Sequence, residues 1–83
     1  VKYTLSQHAE DVIKEREISM SWVEQVIFQP ERTESDRMDA GLEHRLGRIS
    51  DYENRVLRVI VVKKSNPVRI VTAYFDRKMR DKL

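Results

Sequence analysis

Apolar residues recur at helical spacing through the first third of the chain and at strand spacing through the last half. Leu5, Ala9, Val12 and Ile13 share one face of a helix that Ser6 is placed to cap. This pattern predicts a first helix ending near Glu17, with Lys2 to Leu5 before it as a short strand or an extended lead-in. Ile18 breaks the pattern and Ser19 can cap a second helix running to about Phe28, with Trp22, Val23, Val26 and Ile27 on its apolar face. Ile18 and Val23 have the spacing of a hydrophobic staple around Ser19, while Ser21 and Glu24 offer a competing capping box. Pro30 closes the helix.

From there the pattern alternates. Arg32 to Ser35 reads as a short strand, Asp36 to Gly41 as a turn and Glu43 to Ser50 as a strand. Asp51 to Asn54 is a hairpin turn. The next segment, Arg55 to Lys63, is rich in valine and apolar on both faces, as a central strand is. Lys64 to Pro67 turns into a last strand, Val68 to Phe75. The expected fold is α+β: two N-terminal helices packed on one face of a three- to four-stranded antiparallel sheet, in a single domain over residues 1–83. The opposite face would then be free for function.

Composition narrows the classes. With no cysteine, thiolate catalysis, disulfide stapling and cysteine-based zinc sites are excluded. No apolar run approaches a membrane span and the start carries no signal-peptide pattern, so the expectation is a cytoplasmic protein with no membrane partner. The net charge of +2 hides a segregation. Residues 1–43 carry five Lys/Arg against ten Asp/Glu, and residues 44–83 carry eleven against four. A basic second half points to an anionic partner, nucleic acid foremost, unless the halves neutralise each other across the fold.

The candidate chemistry lies in that second half. If Val71, Ala73 and Phe75 face the helices, Ile70, Thr72 and Tyr74 face outward, and the neighbouring strand sends out Val56, Arg58, Ile60 and Val62. A three-residue turn puts Arg58 opposite Tyr74, whereas a four-residue turn opposes Leu57 to Tyr74. The preceding strand adds either Arg45 or the pair His44 and Arg48 to this face. With Arg77, Lys78 and Arg80 at the rim, Arg45, Arg48 and Arg58 are the candidate phosphate or RNA contacts, since guanidinium groups match phosphate bidentately. Tyr74, His44 and His8 are the proton-transfer candidates. Arg16 falls on the apolar stripe of the first helix and Trp22 on that of the second, and both read as structural. Two histidines without matching spacing make no metal site, and no cofactor is expected. Trp22, Phe28 and Met20 exceed what a small core hides, which makes a homodimer a candidate assembly.

The stretch "YTLSQHAEDVIKEREISMSWVEQVIFQPE", followed by a basic β region and "RIVTAYFDR", resembles a small bacterial domain-of-unknown-function family related to BrnT, within the RelE/ParE-like toxin superfamily. The landmarks are Tyr3, Ser6-x-His8-Ala9, Arg16-x-Ile18, Trp22-Val23, Pro30 and Thr72-Ala73-Tyr74. The resemblance implies a compact α+β RelE/BrnT toxin-like domain. It also implies metal-independent RNA cleavage and an antitoxin-like protein partner. The expected function is a toxin-like RNA-binding domain, with endoribonuclease activity in a toxin–antitoxin system as the open extension of it. The alternative is a non-catalytic protein-interaction module that takes an acidic or extended partner segment.

Overall fold

A computed structural model describes residues 2–83. Two helices, α1 (Gln7–Glu15) and α2 (Met20–Phe28), lie against a sheet of β1 (Tyr3–Leu5), β2 (Arg32–Ser35), β3 (Leu42–Ile49), β4 (Arg55–Val62) and β5 (Val68–Phe75). The sheet has five strands in the order β1-β5-β4-β3-β2. It is mixed, because β1 runs parallel to β5 while the other pairs are antiparallel. This corrects the expected three- to four-stranded antiparallel sheet: the lead-in before Ser6 pairs with the last strand as a fifth, parallel member. Among the described residues, no helix is long and apolar enough to cross a membrane.

Both helices start just after Ser6 and Ser19, but only Ser6 caps its helix through the side chain. The Ser6 hydroxyl accepts from the Ala9 N–H at 3.0 Å and itself donates to the Val71 carbonyl, which ties the start of α1 to β5. Ala9, Val12 and Ile13 of α1 and Val23, Val26 and Ile27 of α2 are buried against Ile49, Leu57, Val59, Val61, Ile70 and Ala73 of the sheet. Gly47 of β3 lies beneath α2, and a Cβ there would sit 3.3 Å from the Val26 methyl. A missing side chain therefore allows the close approach of helix and sheet.

The strand faces hinge on one irregularity. Beside the β4–β5 turn, Val61 lies opposite Ile70; continued unbroken, that register would set Leu57 opposite Tyr74. A bulge leaves Val71 as an extra residue on β5, and beyond it Ile60 meets Thr72 and Arg58 meets Tyr74. The bulge also turns Ile70 into the core, contrary to the expectation that it faces outward beside Thr72. Nor is the face away from the helices bare. Leu46, Val56 and Arg58 are buried on it, and after β5 a 3₁₀ turn at Arg77–Met79 returns to touch β4.

α1 ends in a Schellman motif: the Ile18 N–H donates to the Ile13 carbonyl and the Glu17 N–H to that of Lys14. Glu17 occupies the left-handed position with φ 54°, where a Cβ is strained. Replacing exposed Glu17 with glycine is expected to raise stability by about 1 kcal/mol. Urea denaturation measures this, and a neutral or lower midpoint would contradict the strain.

Candidate functional site

Arg58 is the buried charge of the sheet, 8% exposed in the middle of β4. Its Nε donates to Asp76 Oδ2 at 2.9 Å, and Nη2 lies 2.8 Å from the same oxygen. Nη1 donates to Glu34 Oε1 at 3.0 Å and contacts His44 Nδ1 at 2.8 Å. Four of its five N–H groups are thus engaged. Burial opposes the charge, but the hydrogen bonds to Glu34 and Asp76 outweigh it and hold the guanidinium above its ordinary pKa.

These contacts fix the state of His44. Guanidinium only donates, so Nδ1 facing Arg58 must carry a lone pair. The other nitrogen, Nε2, is 2.7 Å from Asp36 Oδ1 and therefore holds the proton and donates it. His44 is the neutral Nε2–H tautomer with both nitrogens occupied. Around it, Arg32 and Arg58 face Glu34, Asp36 and Asp76, so the cluster carries no surplus positive charge. A small pocket of about 340 Å³ borders it, lined by Glu34, Asp36, Arg37, His44 and Arg58 among others.

The other β3 arginines are also paired. Arg45 lies on the helix side, bonded to Glu43 at 2.9 Å and to the Ile27 carbonyl at the end of α2 at 2.7 Å. Arg48 shares the face of Arg58 but pairs with Glu31 at 3.1 Å.

The second constellation lies at the far end of β5. A cleft of about 920 Å³ is lined by Arg16, Tyr52, Arg55, Val56, Thr72, Tyr74, Phe75, Asp76, Arg77 and Arg80. Four of these are arginines and one is an acid, Asp76, which is committed to Arg58. Arg16 donates to the Ala73 carbonyl at 3.1 Å. Among the described residues, Arg16, Arg77 and Arg80 form no ion pair. Among the described residues, no strand lies beside the outer edge of β5 beyond Ile70, because β1 ends at Leu5; this leaves room for the cleft.

An aromatic group forms one wall. The turn from β3 to β4 runs through a 3₁₀ segment, Ser50–Tyr52, and two left-handed residues, Glu53 and Asn54. It brings the Tyr52 ring parallel to Trp22 at 5.5 Å and edge-on to Phe75 at 5.0 Å. The Arg55 guanidinium sits 4.6 Å over the Tyr52 ring.

Of the proton-transfer candidates, Tyr74 lines the cleft, His44 borders the smaller pocket and His8 is exposed on α1. The fold does not bring the three together. Of the cation candidates, Arg77 and Arg80 line the cleft, Lys78 is exposed beside it, and Arg45, Arg48 and Arg58 are paired elsewhere. Sequence reasoning passed over Tyr52 and Arg55, and read Arg16 as structural. The available signal was an aromatic residue inside an otherwise polar hairpin turn, with an arginine three positions on. Among the described residues, no group of three or more His, Asp or Glu is arranged to hold a metal ion.

Hydrogen bonds from His44 and from the Met38 and Asp39 N–H groups hold the Asp36 carboxyl below the ordinary carboxylate range, and Arg48 does the same for Glu31. Both bind protons less readily folded than unfolded. Their contribution is therefore complete above the unfolded pKa of about 4 and is lost as pH falls through the lower folded values. Stability should decline between about pH 5 and pH 2, and Asp36→Asn should flatten part of that decline. Thermal melts across the range check this; an unchanged slope in the variant would contradict it.

No curated protein and no solved structure matches the chain. A family model does match, over residues 5–75, from the end of β1 to the end of β5. That range holds Arg16, Tyr52, Arg55 and Tyr74 of the cleft, while Arg77 and Arg80 follow it. The chain belongs to the DUF4258 family, a domain of unknown function.

Proposed function

We propose that the protein binds RNA, with the arginine-lined cleft beside β5 meeting the phosphate backbone. The observation that carries this reading is the local excess of cations: Arg16, Arg55, Arg77 and Arg80 around a cleft whose one acid is already paired. Guanidinium groups suit phosphate, and such a concentration of positive charge attracts a polyanion. The arginines paired to Glu31, Glu34, Glu43 and Asp76 play no part in it.

Kinship with BrnT-related domains of the RelE/ParE-like superfamily would extend binding to metal-independent cleavage. In that chemistry the ribose 2′-hydroxyl attacks the adjoining phosphorus, and the 5′-oxygen leaves with a proton. The cleft arginines would stabilise charge on the phosphoryl oxygens, and Tyr74 is the proton-transfer candidate within reach of them. An antitoxin-like partner would accompany such an activity. A second reading, the non-catalytic interaction module, draws support from β2. It is an edge strand, largely exposed, with no strand on its outer side among the described residues, and suits an extended partner segment.

The test is titration of a single-stranded RNA at several salt concentrations. Three to four phosphate contacts predict a log–log slope of about −2 to −3, at roughly 0.7 per contact for single strands. Arg77→Ala with Arg80→Ala should shallow it by about 1.4 and weaken binding at every sequence tested. Product formation in EDTA would add the enzyme. Absence of binding at low salt would overturn the reading and leave the edge-strand module.

A further inference from the structure

The wall of the cleft carries more than charge. Arg55 brings to it a buried donor left unmet among the described residues: its Nε has no partner, while Nη1 lies 3.4 Å from the Tyr52 hydroxyl and Nη2 lies 3.4 Å from Glu53. Besides these two long contacts, Arg55 is held by the Tyr52 ring, which is itself stacked on Trp22. The indole and phenol are stacked, the guanidinium lies over the phenol ring, and Tyr52 and Arg55 both border the cleft. The Arg55 side chain is 35% exposed, so part of it remains open to solvent. An arginine seated over an aromatic ring offers a base a stacking partner that phosphate recognition does not require.

We infer that the ligand of this cleft is single-stranded nucleic acid, recognised by one unpaired base stacking on the Arg55 guanidinium while Arg16, Arg77 and Arg80 meet its phosphates. This rests on the RNA-binding reading above and narrows it. Guanidinium planes and aromatic rings accept the π-face of any base, so the contact tolerates sequence. Bases in a duplex have both faces covered by their neighbours and cannot make it. Tyr52, backed by Trp22, supports the guanidinium from its other side.

Trp22 is the single tryptophan of the chain and stacks on the ring that Arg55 lies over, so its fluorescence reports on this contact. The experiment titrates wild-type protein with a single-stranded oligonucleotide, the same sequence as a duplex, and an inorganic polyphosphate of equal charge. The expected result is tightest binding by the single strand, with a change in Trp22 emission that polyphosphate does not produce. Arg55→Lys keeps the charge but loses the plane. It should weaken the single strand about tenfold with an unchanged salt slope, while polyphosphate binding stays level. Equal binding of all three ligands, indifferent to Arg55→Lys, would overturn the stacking proposal and leave phosphate recognition standing. Binding of none at low salt would remove both.

Discussion

A charge in the middle of a small sheet must be neutralised from within, and Arg58 sets that condition here. Its place in β4 is buried, and an unpaired guanidinium there would be strongly unfavourable. The neutralising groups come from widely separated parts of the chain: Glu34 on β2, His44 on β3 and Asp76 just after β5. Satisfying one side chain therefore fixes the edge strand, the hairpin strand and the C-terminal turn relative to the centre. Removing one partner of such a buried arrangement typically costs about 3–5 kcal/mol, because the others are left uncompensated. Arg58 resembles a clasp more than a ligand-binding residue.

The division of labour among the arginines follows. Those on β3 and β4 that face carboxylates or helix-end carbonyls, namely Arg45, Arg48 and Arg58, are engaged by the fold. Those at the end of α1, at the start of β4 and after β5 converge on the cleft. Asp76 links the two sets: by holding Arg58 it fixes the start of the 3₁₀ turn that carries Arg77, while Arg80 follows that turn. Its commitment to Arg58 also removes the cleft's one carboxylate from competition with an anion. The acidic first half and basic second half of the chain thus neutralise each other in part, through Glu31, Glu34 and Glu43, and leave positive charge at one end.

Much of this was legible in the sequence. The Ser6 cap, the stripes of α1 and α2, and the spans of β2 and β5 follow directly from residue pattern, whereas the Ser19 hydroxyl precedes α2 but bonds Ser21 instead of capping it. The pairing of Arg58 with Tyr74 was one of two open registers, decided by the bulge at Val71, which no periodicity announces. β1 has three residues, too few to show an alternation, and its parallel pairing depends on where two helices return the chain. Sequence also weighed Arg45, Arg48 and Arg58 as equivalent cations. Pairing by groups fourteen to twenty-four positions away, as at Arg58, is a tertiary fact. Tyr52 escaped notice because turn residues are read for backbone conformation, whereas here the ring docks on Trp22 and Phe75.

The central claim is that Arg58 is consumed inside the sheet, and the proton on His44 reports it. Nitrogen-15 NMR of the imidazole at neutral pH distinguishes the tautomers directly. The account predicts a neutral ring with the proton on Nε2 and an unprotonated Nδ1 accepting from Arg58. A proton on Nδ1, in either the other tautomer or the imidazolium, would mean that Arg58 does not donate to His44 and would contradict it.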